Sequence, residues 1–307
     1  MKKVIILLST YNGEKFLRAQ LDSLLAQTYG DIAIYARDDG SGDTTLQILK
    51  EYVGRAESAG MEMYILDTGT NLGYPDCFWY LLRQCPDADY YAFCDQDDCW
   101  HPDKLKRAVE MLERENEQTP LLYTHHYENC DKDLKVMSIH RTIQLGRGEG
   151  YRMMFYSMAP GFSMVINHSF RQLLLSQQVE EKQLPHDGWC MWTAYYRGKI
   201  LYDTQILTQY RRHEKAVTSS GMRKSAMISS WIHKEILGDE MTKLRRRIQQ
   251  FYDWNKDTLG AEAKIWKCYG IEQRGMIAYL TRLFYPRRLR PSLGGELALR
   301  ILLLIGK

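Results

Sequence analysis

The sequence predicts an α/β fold in which an open, mostly parallel sheet is flanked by helices. Strand-type apolar runs alternate with helix-type segments from residue 4 to about residue 115, which is the pattern of right-handed crossover units. The first run, residues 4–8, is continuously apolar, as in a central strand that is covered on both faces. Polar and glycine-rich clusters follow the predicted strands, where open α/β sheets bind their ligands.

Hydrophobic spacing identifies the individual elements. In the first part of the chain, strands are predicted at residues 4–8, 32–36, 63–66 and 90–93. The helices that alternate with them are predicted at residues 15–26, 44–53, 71–82 and 102–115. The pattern is more mixed beyond them. There, strands are expected at 121–127, 164–166 and 200–202, and helices at 169–177 and 187–197.

Composition excludes several classes of protein. The 307 residues are 45% hydrophobic and 26% charged, as in an ordinary globular protein, so global disorder is not expected. The seven cysteines are scattered without a C-x-x-C pair, so we expect a reduced, cytoplasmic protein. The apolar run at residues 4–8 is too short for a signal peptide, and no stretch approaches the roughly 20 apolar residues of a membrane span.

Charge is distributed unevenly along the chain. Residues 222–307 contain 17 Lys/Arg and 8 Asp/Glu, whereas the first 221 residues contain 24 and 30. This asymmetry suggests separate roles for the two parts. We therefore predict a domain over residues 1–220 and a helical, basic C-terminal region over residues 221–307.

The segment 92–100, Ala-Phe-Cys-Asp-Gln-Asp-Asp-Cys-Trp, carries the strongest chemical signal. Asp95, Asp97 and Asp98 directly follow a predicted buried strand, and like charges packed there favour protonation unless a cation holds them. Carboxylate oxygens suit Mg²⁺ or Mn²⁺, which commonly also take phosphate oxygens of a substrate. An acidic surface turn is the alternative for an isolated D-x-D.

Three further polar segments have two interpretations each. Asp38 and Asp39 can accept hydrogen bonds from a ribose or a base, or they can cap the next helix. Asp187 can act as a general base, or it can be a first-turn acid that the helix dipole favours. Residues 210–213, Tyr-Arg-Arg-His, can bring positive charge and an imidazole to a phosphate or metal, or can form a solvated basic turn.

Taken in order, these segments resemble the family-two glycosyltransferases of the GT-A fold, especially bacterial enzymes that add rhamnose or similar sugars to surface polysaccharide. The resemblance covers about residues 1–220 and rests on five ordered motifs. They are Ser-Thr-Tyr-Asn-Gly-Glu at 9–14, Asp-Asp-Gly-Ser at 38–41, Asn-Leu-Gly at 71–73, Phe-Cys-Asp-Gln-Asp-Asp at 93–98 and His-Asp-Gly-Trp at 186–189.

The resemblance implies roles for individual residues. Asp187 would be the catalytic base, and Asp97 with His213 would hold Mn²⁺ or Mg²⁺, while Asp98 would orient the site. The nucleotide pocket would be lined by Thr10, Tyr11, Glu14, Asp38, Asp39 and Asp95. The acceptor would be contacted by Gly161, Phe162, His186 and Trp189. For the segment Gly161 to Met164, core packing is an equally good explanation.

The resemblance also implies the reaction and its partners. A dTDP- or UDP-sugar would be the donor, a saccharide or lipid-linked molecule the acceptor, and the sugar would be transferred with inversion. The Gln-x-x-Arg-Trp element of processive relatives is absent, so addition of one or a few sugars is expected. A sugar-phosphate nucleotidyltransferase fits less well, because the loop at 9–14 lacks a basic residue. A non-catalytic scaffold fits less well because Asp95, Asp97 and Asp187 are all present.

The basic tail admits three explanations. Residues 282–290 interleave Arg with Phe, Tyr and Leu, and an apolar helix is predicted at 297–305. This pattern suits an amphipathic segment on an anionic leaflet, which would place the protein peripherally on the inner face of the cell membrane. Packing on the catalytic domain, or against a second subunit in a homodimer, explains it as well. The acidic first domain argues against nucleic acid as a partner.

Overall fold

The computed structural model describes residues 1–67, 70–177, 184–213 and 238–305. The chain forms two compact units: Met1–Ile143 with Ala159–Thr218, and Gln144–Met158 with Ser219–Lys307. The predicted domain boundary at residue 220 lies outside the described residues, so that division stays a prediction.

A curled sheet forms the first unit. Its strands are β1 (Val4–Thr10), β2 (Ile32–Asp38), β3 (Glu62–Ile65), β4 (Tyr90–Cys94), β5 (Cys99–Trp100), β6 (Leu121–Cys130), β7 (Val136–His140), β8 (Val165–Asn167) and β9 (Lys199–Arg211). Their order is β3-β2-β1-β4-β8-β6-β9-β5, and β7 pairs with β6. The run β3-β2-β1-β4 and the pair β6-β9 are parallel, whereas the other pairings are antiparallel.

Helices flank this sheet and confirm the predicted α/β fold. They are α1 (Leu17–Leu25), α2 (Thr45–Ser58), α3 (Asp76–Gln84), α4 (Lys104–Leu112), α5 (His168–Ser176) and α6 (His186–Arg197). Each presents an apolar face to the interior, as the hydrophobic spacing predicts. The central position of β1 is also confirmed, because its residues 4–8 are fully buried between β2 and β4.

Three details differ from the sequence prediction. Helix α3 begins at Asp76 rather than Asn71, because Gly73 has a φ of +76°, which an α-helix does not accommodate. The short strand β5 and the exposed strand β7 were not predicted, since neither contains a long apolar run. Strand β9 extends to Arg211, well beyond the predicted residues 200–202, and so carries the chain back to the acidic segment.

The second unit is helical. It contains α7 (Glu240–Asn255), α8 (Ala263–Tyr269), α9 (Met276–Leu283) and α10 (Leu293–Leu304), with short 3-10 turns at Gly150–Phe155 and Gly260–Glu262. The Phe251 and Trp266 rings, 4.6 Å apart between centroids, anchor α7 on α8. Among the described residues, none of the helices is both long and apolar enough to cross a bilayer.

Candidate active site

The loops that follow β1, β2 and β4 meet at one edge of the sheet. The backbone N–H of Asn12 donates to Ser41 Oγ at 2.8 Å, and the N–H of Gly42 donates to Asn12 Oδ1 at 2.8 Å. The Gln96 side chain accepts from the Tyr11 N–H at 2.8 Å and donates to the Tyr11 carbonyl at 2.9 Å. The predicted convergence of the polar clusters is therefore confirmed by direct hydrogen bonds.

Thr10 and Asp38 form the buried base of this edge. The Thr10 hydroxyl donates to Asp38 Oδ1 at 3.1 Å, and the Ser41 N–H donates to Asp38 Oδ2 at 3.0 Å. Both Thr10 and Asp38 are at most 2% exposed. Asp38 therefore shapes the turn after β2 but does not cap α2, which begins at Thr45. Its contact with a nucleotide stays a prediction.

Asp39 connects the turn after β2 to the loop before α3. Its carboxylate accepts from the N–H groups of Leu72 at 2.8 Å and Gly73 at 2.7 Å, and it is paired with the buried Arg37 guanidinium. These bonds explain why an Asn-Leu-Gly motif accompanies the Asp-Asp pair. Asp39 thus organises the predicted nucleotide pocket from within, and direct contact with base or ribose stays a prediction.

Tyr11 and Glu14 lie at the surface of the same edge. The Tyr11 side chain is 50% exposed, so its ring is available to stack on a ligand. The Glu14 carboxylate accepts from the Thr44 N–H at 3.1 Å and from its hydroxyl at 2.9 Å, next to the first residue of α2. A Cβ at Gly13, between them, would displace the end of the Gln96 side chain that holds the Tyr11 backbone.

The acidic segment occupies the loop between β4 and β5. Asp95 is half-buried, and its pKa is raised to about 7, first by burial and then by the charges of Asp97 and Asp187. Asp98 is fully buried, with Oδ1 accepting from the Arg211 N–H at 3.1 Å. Burial, followed by the charges of Asp97 and Asp95, raises the pKa of Asp98 well above its usual range. The carboxylates of this loop are therefore close enough to oppose one another's ionisation.

Asp97 and His213 are brought together by the end of β9. The Asp97 Oδ2 atom lies 2.8 Å from His213 Nε2. The Phe16 ring packs 4.7 Å from the imidazole, and the Arg211 guanidinium donates to the Asp97 carbonyl at 2.7 Å. The sequence prediction that these two residues share one site is consistent with this geometry.

The residues present fit a divalent cation that also binds a phosphate group. Among the residues that the structure describes, no group of three or more His, Cys, Asp or Glu side chains is arranged to hold a metal ion. Magnesium-type sites commonly use only one or two carboxylates, with substrate phosphates and water completing the coordination. The Asp97–His213 pair and the raised pKa of Asp95 correspond to such a partial site.

Asp187 lies in the first turn of α6, on the same side as the acidic segment. Its Oδ1 accepts from the Gly188 N–H at 2.7 Å and lies 3.5 Å from the Tyr74 hydroxyl. Its charge contributes to the raised pKa of Asp95, which places the two carboxylates within electrostatic reach of each other. Tyr74 was not singled out from the sequence, because only the fold brings its loop to Asp187.

His186 is enclosed by aromatic rings. Its ring lies 4.2 Å from Phe78 and 4.8 Å from Phe93, between centroids, and neither nitrogen has a hydrogen-bond partner among the described residues. Burial lowers its pKa to about 3. Gly161 faces this ring so closely that a Cβ would collide with the Nε2 atom. His186 and Gly161 therefore fit together directly beside the predicted base.

Phe162 and Trp189 lie in the interior. Phe162 is 2% exposed and stacks on Tyr210 with 4.8 Å between ring centroids. Trp189 is 1% exposed, and its Nε1 donates to Gln177 Oε1 at 2.6 Å. Core packing, the alternative considered for the segment around Phe162, explains both side chains, and acceptor contact stays a prediction.

Lys104 is a functional candidate that the sequence analysis did not name. It is 0% exposed, and its Nζ donates to the Phe162 carbonyl at 2.6 Å and the Thr208 hydroxyl at 3.2 Å. The Nζ atom also lies 3.2 Å from the centre of the Trp100 ring. The sequence contained a signal for this burial, because Lys104 lies on the apolar side of α4. The other buried residues of that side are Leu105, Ala108, Val109 and Leu112.

The fold and this arrangement of loops define a glycosyltransferase of the GT-A fold. The family description "Glycosyl transferase family 2" matches residues 5–170, which is more than half of the chain. The protein therefore belongs to glycosyl transferase family 2.

Curated relatives carry glycosyltransferase names. The chain is 26% identical over 249 residues to the "dTDP-rhamnosyl transferase RfbG" of Shigella flexneri, covering 75% of this chain and 82% of that protein. It is 27% identical over 247 residues to an uncharacterized glycosyltransferase of Haemophilus influenzae, covering 78% and 91%. The likeness to bacterial rhamnosyltransferases is thus confirmed.

Solved structures show the same fold at low identity. S. aureus TarS 1-349 in complex with UDP-GlcNAc matches with a TM-score of 0.56 and 16% identity, covering 99% of this chain and 91% of that one. The mannosyltransferase PcManGT of Pyrobaculum calidifontis, in complex with GDP-Man and Mn²⁺, matches with a TM-score of 0.52 and 12% identity, covering 99% and 86%.

Proposed function

We propose that the protein transfers a single sugar from a nucleoside diphosphate donor to a hydroxyl group of a saccharide or lipid-linked acceptor, with inversion. The observation that carries this proposal is the gathering of Asp95, Asp97 and His213 at one loop, with Asp187 within electrostatic reach of Asp95. Carboxylates brought this close together suit a site that takes up a cation with a diphosphate. Family membership supports the reaction class.

The donor is proposed to be a dTDP- or UDP-sugar, with rhamnose as the first sugar to test. The name of the Shigella relative supports dTDP-rhamnose, and the TarS complex supports a uridine nucleotide in this fold. The expected role is in cell-surface polysaccharide synthesis. A cytoplasmic location on the inner face of the membrane accords with such a role.

Asp187 is proposed to act as the general base. Its carboxylate would remove the proton of the acceptor hydroxyl while that oxygen forms a bond to the anomeric carbon. The bond from the anomeric carbon to the donor phosphate oxygen breaks, and the nucleoside diphosphate leaves with the electron pair. One displacement without a covalent intermediate inverts the anomeric configuration. Tyr74, 3.5 Å from Asp187, is placed to orient the base.

Asp97 and His213 are proposed to hold Mn²⁺ or Mg²⁺, with Asp95 beside the nucleotide. When bound, the cation would neutralise negative charge on the leaving diphosphate. Arg211 holds this arrangement, because its N–H binds Asp98 at 3.1 Å and its guanidinium binds the Asp97 carbonyl at 2.7 Å. The Mn²⁺ in the mannosyltransferase complex supports a divalent ion in this fold.

The test separates the base from the nucleotide site. A panel of dTDP- and UDP-sugars is screened for Mn²⁺-dependent release of nucleoside diphosphate, and variants are then assayed by turnover and by calorimetric binding of the diphosphate. Asp187→Asn should lower kcat about 10²- to 10⁴-fold and leave the diphosphate Kd unchanged. Asp97→Ala should weaken binding of the diphosphate in the presence of Mn²⁺. The control Asp133→Asn, a change at an exposed carboxylate, should alter neither kcat nor the diphosphate Kd.

Two outcomes would contradict the proposal. If Asp187→Asn turned over at the parental rate, another group would be the base. If no sugar nucleotide of the panel were hydrolysed or transferred in Mn²⁺, the non-catalytic scaffold would become the better account.

A further inference from the structure

Helices α9 and α10 of the second unit pack on each other and leave one apolar face exposed. The Tyr279 hydroxyl donates to the Leu304 carbonyl at 2.8 Å, and the Arg300 guanidinium donates to the Leu283 carbonyl at 2.7 Å. These bonds tie the two helices into one layer. Six large apolar side chains on this layer are between 60% and 83% exposed: Met276, Ile277, Phe284, Leu293, Leu297 and Leu304.

The exposed residues follow helical periodicity. Leu293, Leu297 and Leu304 of α10 are spaced four and seven residues apart, so they share one side of the helix. The other side is buried through Leu299 and Leu302. Contiguous apolar surfaces of this kind mark interaction sites, whereas scattered single residues do not. The exposed side of α10 is therefore a candidate docking surface.

Charge identifies what the surface fits. Between residues 274 and 305 the sequence contains six Arg and a single acidic residue, Glu296. That carboxylate lies 2.7 Å from Arg300, so its charge is balanced within the unit. Arg287 and Arg288 are exposed on the connection between the two helices. An apolar face beside two exposed arginines is complementary to an anionic lipid surface.

A second copy of the chain fits this surface less well. A twofold interface brings the same patch of both subunits together, so the arginines would approach each other without acidic partners. Insertion across the membrane is also excluded for α10, because 12 residues reach only about 18 Å against a hydrocarbon core of about 30 Å. The helix is long enough to lie in the plane of the interface.

We propose that the exposed face of α9 and α10 docks on the surface of an anionic lipid bilayer. The apolar side chains enter the boundary between headgroups and acyl chains, and Arg287 with Arg288 bind headgroup phosphates. Docking itself is independent of the catalytic proposal. Its use for reaching a lipid-linked acceptor rests on the proposed function.

The experiment uses the full chain and extruded vesicles. Co-sedimentation is measured with phosphatidylcholine alone and with phosphatidylcholine mixed with phosphatidylglycerol, at low and high salt. We expect binding to the mixed vesicles that weakens with salt, and a loss of roughly thirtyfold for Arg287→Gln with Arg288→Gln. Ile277→Asp with Leu297→Asp should abolish binding, whereas Met137→Asp, at an exposed residue of β7 in the first unit, should not change it.

Other results would overturn the proposal. Equal or absent binding to both kinds of vesicle would contradict an anionic surface. A dimer in light scattering that Ile277→Asp with Leu297→Asp dissociates, without vesicle binding, would make the face a subunit interface. Thermal melts check that the variants fold. If the variant with Ile277→Asp and Leu297→Asp does not fold, the variant with Arg287→Gln and Arg288→Gln still tests the proposal. Nucleoside diphosphate release in detergent-free buffer should be unchanged in all variants, which separates failure of docking from failure of catalysis.

Discussion

At the scale of single residues, the contact between Gly161 and His186 explains why a glycine is needed in the 3-10 turn before β8. The imidazole Nε2 occupies the space that a Cβ of residue 161 would take. Both residues are buried, so the ring has little room to move away. This contact therefore ties the turn to the start of α6, where Asp187 lies.

Gly161→Ala should destabilise the protein by about 1–3 kcal/mol, because it overpacks a buried site. The matched control is Gly188→Ala in α6, where a Cβ would meet nothing within 4 Å. That change should be neutral or slightly stabilising, since alanine favours a helix more than glycine does. Urea unfolding measures both, and equal stability of the two variants would contradict the contact.

His186 also makes the stability of the fold sensitive to acid. Its folded pKa is about 3 against 6.5 for the unfolded residue, so the unfolded chain binds the extra proton as the pH falls. The neutral His186 makes its full contribution to the unfolding free energy above pH 6.5. This contribution is lost progressively as the pH falls from 6.5 toward the folded pKa of about 3. Between pH 6.5 and 4.5 this group's contribution to the unfolding free energy falls by about 2 kcal/mol.

His186→Leu should remove this sensitivity. The difference in unfolding free energy between the parent and the variant is measured from pH 7.5 down to about 4.5. The two proteins are compared because Asp95, whose pKa is raised in the folded state, makes the unfolding free energy change with pH in the opposite direction. This contribution of Asp95 is present in both proteins and cancels in the difference. Parallel curves for parent and His186→Leu would refute the assignment.

At the scale of elements, α4 connects the acidic loop to the turn at 161–163. Its first residue, Lys104, holds the Phe162 carbonyl at 2.6 Å and the Thr208 hydroxyl of β9 at 3.2 Å. Burial lowers the pKa of Lys104 well below its usual range, although the charges of Asp98 and Asp95 act in the opposite direction. One side chain thus positions two elements on which Asp187 and His213 depend.

Lys104→Met keeps the length of the side chain and removes its donors. We expect the free energy of unfolding to fall by about 1–3 kcal/mol, because the buried Phe162 carbonyl loses the hydrogen bond from Lys104. Since the turn lies on the proposed acceptor side, the acceptor KM should rise more than the donor KM. Lys106→Met, at an exposed position of the same helix, is the control. Equal changes in both KM values would indicate a purely structural role.

Element prediction from hydrophobic spacing was accurate where the segments are long and periodic. The four parallel strands β1 to β4 and the helices between them were placed within a few residues. The start of α3 was wrong, because it depends on hydrogen bonds from Leu72 and Gly73 to Asp39, which are remote in sequence. Strand β7 was missed because its exposed residues carry no burial pattern.

At the scale of the whole molecule, the two compact units carry different chemistry. The first unit contains the acidic loop, the base candidate and the sheet edge, all within Met1–Ile143 and Ala159–Thr218. The second unit contains residues 144–158 in addition to the basic tail. The amino-acid composition gave no indication that residues 144–158 belong with the tail. The first unit thus contains the predicted site residues, and the second contains the exposed apolar side chains of α9 and α10.

The amino-acid order was sufficient for the family, because five ordered motifs, among them Asp95–Asp98 and His186–Asp187, resemble those of family-two glycosyltransferases. Their mutual arrangement was not accessible in this way. The 2.8 Å contact of Asp97 with His213, the approach of Tyr74 to Asp187 and the burial of Lys104 join residues far apart in the chain. Such contacts depend on how the whole sheet curls and on which side chains lose water, and these are properties of the folded chain rather than of any segment.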